Sequence, residues 1–421
     1  MIHKMLYGLL TTYAWALAVF VDRSEIDTTA RPDPVLYALT VVPAVLFILA
    51  SVPRLARLRF DRASITLLLL LVLVALLSAA HADAATLVSV GTLCAMLVAI
   101  RQTNAVVSLT LVNVLFFASI FITETQYLLG SARYGVLPGQ AVNDIVSWRA
   151  SLFAYNVTPS WLFSLIVIGL NWFYNRSFAY RSAMILLGMF FLVFSASRTA
   201  LLALGLCITF LGCTRVIAFR ERTFYKMFIP VALVAFVLML NAEQVLILLT
   251  GFDNPLVNAV LFRSEEGVAN IDQASTSIVR TFIWAQHLQL FFQDPLFGVG
   301  TFNLLDTAPE FATVASSGTE SFLTGLFARI GIAAVLFVVF ILQVANSAAR
   351  HRDHLSFSLM IIFAVTSLAY GSYIVPYDFI FLAMFGAMNF SRGRCLQADA
   401  DTPARAPLME APTPAPPATG N

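Results

Sequence analysis

Three short stretches hold the residues able to do chemistry in an otherwise apolar chain. In Ser195-Ala-Ser-Arg-Thr-Ala200, Arg198 stands where one apolar run has ended and the next begins. Ser195 or Ser197 can cap a helix starting there. The first-turn N–H groups and the helix dipole favour an anion, and a guanidinium adds a fork that matches phosphate geometry. An interfacial arginine reaching for lipid headgroups is the plain alternative. In Ser277-Ile-Val-Arg-Thr-Phe-Ile-Trp-Ala-Gln-His287, Arg280, Trp284 and His287 recur at i, i+4 and i+7 and share a helix face. Phe282, Ile283, Leu290 and Phe291 suit a membrane interface, so an anchored surface helix with a solvated arginine is the competing reading. Asp294-Pro-Leu-Phe-Gly-Val-Gly300 then turns the chain. In Gly318-Thr-Glu-Ser-Phe-Leu323, Glu320 and Ser321 open a long apolar run. Partial desolvation would raise the Glu320 pKa toward that of a general base; a helix-start carboxylate stabilised by the dipole is the alternative. Arg329 lies inside that run; an arginine there is either functional or, the favoured reading, a structural partner for an acid such as Asp378. Two guanidinium groups and a carboxylate are a set that can hold a diphosphate and deprotonate an alcohol.

The elements that must position these residues are membrane helices. The chain is 59% hydrophobic and 11% charged over 421 residues, against roughly 25% charged in soluble domains. A spanning helix needs about 20 mostly apolar residues. By that measure the sequence predicts an all-α polytopic membrane protein with about twelve spans, near 5–21, 35–53, 63–80, 85–100, 105–122, 159–174, 180–196, 199–214, 226–242, 321–346, 355–371 and 376–390. Residues 180–214 as one helix would run about 50 Å, longer than the ~30 Å hydrocarbon core, so the break at Ser195–Arg198 belongs at a membrane surface. The first span is read as retained rather than as a cleaved leader, for want of a cleavage site.

Positive charge sets the orientation. With the N-terminus inside, Lys4, the Arg54–Arg62 group, Arg101, Arg176, Arg181, the Arg215–Lys226 group, Arg350, Arg352, Arg392 and Arg394 all fall on the cytoplasmic side. The outer side receives most carboxylates, among them Glu25, Asp27, Glu124, Asp144 and Glu265. The chain then divides into helices one to nine over 1–242 with an outer loop at 123–158, a large, partly helical periplasmic loop at 243–320, helices ten to twelve over 321–390, and a Pro/Ala-rich cytoplasmic tail at 391–421 read as disordered. Tyr134 and Arg149, in the first outer loop, are candidates for lining a substrate groove.

Other chemistries find no footing. Cys94, Cys207, Cys213 and Cys395 lack metal-ligand spacing, and no loop carries a His/Cys cluster. No phosphate-cradling glycine motif or basic-aromatic surface for nucleic acid occurs. Neither a metal nor a cofactor is expected.

In this order and topology the motifs resemble the O-antigen ligase and Wzy-type polymerase superfamily of bacterial envelope enzymes. Ser197-Arg-Thr-Ala-Leu-Leu202 is similar to its SR-[TG]-A-L motif. Arg280, Trp284 and Asp294-Pro-Leu-Phe-Gly-Val-Gly300 are similar to its R…W…P-L-x-G-x-G loop. Glu320-Ser-Phe-Leu323 followed by Ile330-Gly-Ile332 resembles its H-N-x-x-L…G-[IL] helix opening. The resemblance implies an inner-membrane glycosyltransferase with both termini cytoplasmic and its site facing the periplasm. It would take an undecaprenyl-pyrophosphate-linked oligosaccharide and an acceptor glycan or glycolipid among the membrane lipids, with a chain-length regulator as a further partner. Carried over, Arg198 and Arg280 hold the pyrophosphate and Glu320 activates the acceptor hydroxyl. Ser197, Trp284, His287, Tyr134, Arg149 and Ser321 contact substrate. Ligases of the family place a His where this chain has Glu320, and a Glu-Ser pair looks more like the polymerases. The resemblance therefore implies polymerisation of O-antigen or exopolysaccharide repeats, with ligation to lipid A core or protein as the alternative. A glycolipid flippase is the rival of another class; it predicts ionisable residues spread across many spans and internal symmetry, neither of which the sequence carries.

Overall fold

The computed structural model describes residues 2–21, 34–55, 60–132, 134–137, 150–155, 158–195, 197–216, 276–302, 321–370, 375 and 378–401. The described helices are α1 (Ile2–Phe20), α2 (Pro34–Leu55), α3 (Arg62–Ala80) and α4 (Ala84–Thr103, with a π turn at Leu87–Gly91). They continue with α5 (Leu109–Leu128), α6 (Thr158–Tyr174), α7 (Phe178–Phe194), α8 (Arg198–Val216) and α9 (Thr276–Gln293). The last are α10 (Phe322–Ile330), α11 (Val335–Arg350), α12 (His354–Ala369) and α13 (Phe379–Asp401). A described helix stands at each expected span except 226–242, which lies outside the described residues. Four are long and apolar enough to cross a membrane: α3, α4, α5 and the run Phe322–Arg350. Shorter apolar helices lie in Ala38–Pro53, Phe178–Phe194, Thr199–Gly212 and His354–Ala369.

Polar residues at the helix starts explain where several of these helices begin. Asp61, Ser108, Ser177, Ser321 and Asp353 each accept a hydrogen bond from a first-turn N–H, replacing a partner the helix cannot supply. The packed interior is aromatic. Phe116 meets Phe163 and Phe191 edge to face, and Phe337, Phe363 and Phe385 continue the stack, in the geometry that aromatic quadrupoles favour. Several interior polar groups are paired: Asn113 and Asn171 exchange side-chain hydrogen bonds, and the Tyr7 hydroxyl donates to the Leu382 carbonyl. Outside, the pattern inverts. Leu76, Phe121 and Leu186 are 62–71% exposed along apolar helices. A surface this apolar needs lipid against it.

Among the described residues, polar contacts gather helix ends into two groups. One end gathers Asp61, Arg101, Tyr174, Asp353 and Ser391 through mutual hydrogen bonds. The other gathers Asp83, residues 150–155, the α7–α8 junction, Ser321 and Tyr370. Helix α3 alone separates the ends by roughly 30 Å at about 1.5 Å per residue.

Two expectations need correction. The run 321–346 is not one helix: it breaks at Ile330, turns through a 3-10 segment at Gly331–Ala334 and restarts as α11. The tail boundary at 390 is too early, because α13 continues to Asp401. There Ser391 is fully buried, bonded to Asp353 and Tyr174, so polar side chains at this point finish the bundle rather than leave it. Cys94 and Cys207 are buried free thiols, as their apolar surroundings predict; the side chain of Cys213 lies outside the described residues.

Candidate active site

The break in the tenth span is where the loop motif docks. Because α10 stops at Ile330, the carbonyls of Ala328 and Arg329 are left for other donors. The turn after α9 supplies them: Val299 N–H donates to Ala328 O at 2.8 Å and Gly300 N–H to Arg329 O at 3.1 Å. Ile332 N–H returns a bond to Pro295 O at 2.9 Å. Asp294 starts the turn by accepting from Phe297 N–H through its side chain and from Gly298 N–H through its carbonyl. The contact is backbone on backbone. A Cβ on Gly298 (φ +76°) would stand 2.4 Å from the Arg329 carbonyl carbon, and one on Gly331 (φ +58°) 2.6 Å from Leu296 O. The glycines of the motif thus serve close approach and positive φ.

This docking lays Thr301 and Phe302 beside α3 and α10. Thr301 Oγ1 donates to Asp83 Oδ1 at 2.6 Å, and Thr86 N–H donates to the same oxygen at 3.1 Å. Burial pushes the Asp83 carboxyl up, but these hydrogen bonds outweigh it and hold the group at about 2. The Arg329 guanidinium lies 5.6 Å over the Phe302 ring, a cation–π contact. His287 packs edge-on to Phe302 at 5.2 Å and binds Thr324 Oγ1 through Nδ1 at 2.8 Å. Burial first, then the charge of Arg329, holds the imidazole down to about 3, so it is neutral at ordinary pH. Asp83 Oδ2, His287 Nε2 and Trp284 Nε1 are buried with no hydrogen-bond partner among the described residues.

The sequence candidates distribute as follows. Arg198 is the first residue of α8, where Ser197 Oγ accepts from Ala200 N–H at 3.3 Å. Ser195 closes α7 instead, donating to Leu192 O. Arg280 lies in α9, one turn before Trp284. The side chains of Arg198 and Arg280 lie outside the described residues, as do Glu320 and Arg149. Ser321 is 2% exposed and caps α10 through Thr324 N–H, a structural duty. Tyr134 is buried, its N–H bonded to Ala154 O, alongside Ser151 N–H to Gly135 O. His287 holds α9 to α10 rather than facing outward. The expectation that Ile283 and Leu290 rest on the membrane is also corrected: they pack with Ala328, Val299 and Phe302. The exposed apolar residues here are Phe292, Leu296 and Phe297.

The acid facing Arg329 is Asp83, not Asp378. Asp378 sits apart, accepting from Ile380 N–H at the start of α13. Asp83 and Thr301 are the residues that motif reading passed over. A signal existed: Asp83 is the acid of the short link His81–Asp83, which the alternation of spans puts on the same side as the 243–320 loop. Among the described residues, no group of His, Cys, Asp or Glu could hold a metal ion.

No curated protein matches the chain. Residues 183–339, from α7 through the loop motif and α10 into α11, match the family model Wzy_C, described as O-Antigen ligase, and so bring this integral membrane protein into line with the O-antigen ligase and Wzy superfamily that its motifs resemble.

Proposed function

We propose that the protein is a metal-independent, inverting glycosyltransferase that polymerises undecaprenyl-pyrophosphate-linked repeat units at the periplasmic face of the inner membrane. The observation that carries this reading is the docked glycine turn. It ties the end of the helix bearing Arg280 to the end of α10, the helix whose capped start follows Glu320, inside the family-matched stretch. In the proposed reaction Glu320 takes the proton from an acceptor sugar hydroxyl. The oxygen attacks the anomeric carbon, and the glycosidic bond to pyrophosphate breaks with inversion. Arg198 and Arg280 take up the charge that develops on the leaving polyprenyl pyrophosphate, the largest contribution expected in such a site. Ser197, Trp284, Tyr134 and Arg149 orient the glycan. Helix α9 and the exposed Phe292, Leu296 and Phe297 keep the site at the level of the lipid headgroups, where the polyprenyl chain enters.

The test uses Arg198→Ala, Arg280→Ala and Glu320→Gln with a lipid-linked repeat unit and gel analysis of products. Each change lowers turnover by roughly 10²–10³-fold while the protein remains in the membrane. Lysine restores little at either arginine, because it lacks the bidentate fork. Long product from either alanine variant at the wild-type rate refutes the assignment. Ligation is the second reading, favoured by the description of the matched model. A polymerase variant leaves single repeats on the carrier; a ligase variant leaves long chains there.

A further inference from the structure

A second polar cleft lies at the opposite end of the bundle, where α4, α11 and α13 meet the start of α12. It is a small cleft of about 80 Å³, open to solvent and lined by Arg101, His351, Asp353, Ser356, Asn389 and Arg392, with apolar side chains behind them. Arg101 is its buried member, with a side chain only 10% exposed. One arm of its guanidinium is ion-paired to Asp61, while Nε is buried with no partner. Arg392 faces it closely enough for the two cations to repel each other, and no carboxylate among the described residues is ion-paired with Arg392. Asp353 does not fill that role. Its oxygens are taken by Ser356 N–H, Ser356 Oγ and Ser391 Oγ, in the cap of α12. A guanidinium with no ion-paired carboxylate and an unmade N–H at the mouth of a partly apolar cleft suit an anion whose lipophilic part stays outside.

We infer that this cleft binds the phosphate of an anionic phospholipid, with oxygens accepting from Arg101 Nε–H and from the exposed Arg392 guanidinium at its mouth and the acyl chains remaining in the surrounding lipid. The site lies some 30 Å from the candidate active site and rests on none of the residues assigned there.

Native mass spectrometry of the full chain, released from membranes of phosphatidylethanolamine and phosphatidylglycerol, tests this. One phosphatidylglycerol is expected to stay bound in preference to phosphatidylethanolamine. Arg392→Gln, an exposed site, is expected to lower the retained fraction about tenfold, the worth of one charge-assisted hydrogen bond. Because Arg101→Gln alone would strand Asp61, the buried position is tested as the double variant Asp61→Asn with Arg101→Gln, with the same loss expected. Arg181→Gln, a basic site at the same end outside the cleft, should retain the lipid. Equal loss in Arg181→Gln, equal retention of the two lipids, or displacement by inorganic phosphate each overturns the assignment.

Discussion

The residue with the sharpest consequence is His287. Its ring is 0% exposed and joins α9 to α10 through Thr324. Burial and the charge of Arg329 hold its pKa at about 3 in the fold, against about 6.5 in an unfolded chain. Between those values the unfolded state binds a proton that the folded state refuses, so stability rises with pH there. The contribution is full above pH about 6.5 and is lost as pH falls toward 3. Cleavage of the α9–α10 region by an acid-tolerant protease should therefore speed up across that window. His287→Phe should flatten the dependence, because phenylalanine has no proton to take up. An unchanged slope in that variant would remove His287 as the cause. The sequence placed His287 on a common face with Arg280 and Trp284, and the resemblance implied substrate contact. Periodicity gives the faces of a helix but not which face meets a neighbour. Here Ile283, His287 and Leu290 form the packed face, so His287 lies in the seam between α9 and α10.

At the scale of elements, the motif of two glycines is a docking device. Its partner is Gly331, whose φ of +58° and close approach to Leu296 O leave no room for a side chain. Gly331→Ala should cost at least about 2 kcal/mol, from strain plus displacement of the turn. It should also lower glycan transfer, since the turn links α9 to α10. Gly205→Ala in α8 is the control: nothing stands within 4 Å of its added Cβ, and alanine is the better helix former. If thermal unfolding in detergent treats the two variants alike, the docking account fails. The glycines could be read in the sequence as a turn, and Ile330-Gly-Ile332 as part of a motif. That the second interrupts a span to receive the first could not be read. The apolar run 321–346 is continuous in hydropathy, and nothing local marks the backbone carbonyls that the turn requires. Asp83 was hidden for the same reason: its partner Thr301 is distant in sequence, and only tertiary contact joins them.

Among the described residues, polar groups gather at two ends of the apolar helices. Asp83, Thr301 and the α7–α8 junction share one end; Asp61, Arg101, Asp353 and Arg392 share the other. The helices themselves were legible because an apolar run is a long, redundant signal, whereas a side-chain contact is a single pair. Which end faces out is a separate question, and charge bias supplies the expectation: the arginine-rich end faces the cytoplasm. A labelling experiment decides it. In a chain with its four cysteines replaced, a cysteine at Leu296, exposed on the docked turn, should react with a membrane-impermeant maleimide added to intact spheroplasts. A cysteine at Arg352, exposed at the other end, should react only after permeabilisation. The reverse pattern would put the candidate active site on the side where lipid-linked repeats are made rather than where they are joined. It would end the glycosyltransferase proposal even if every helix stood where it stands now.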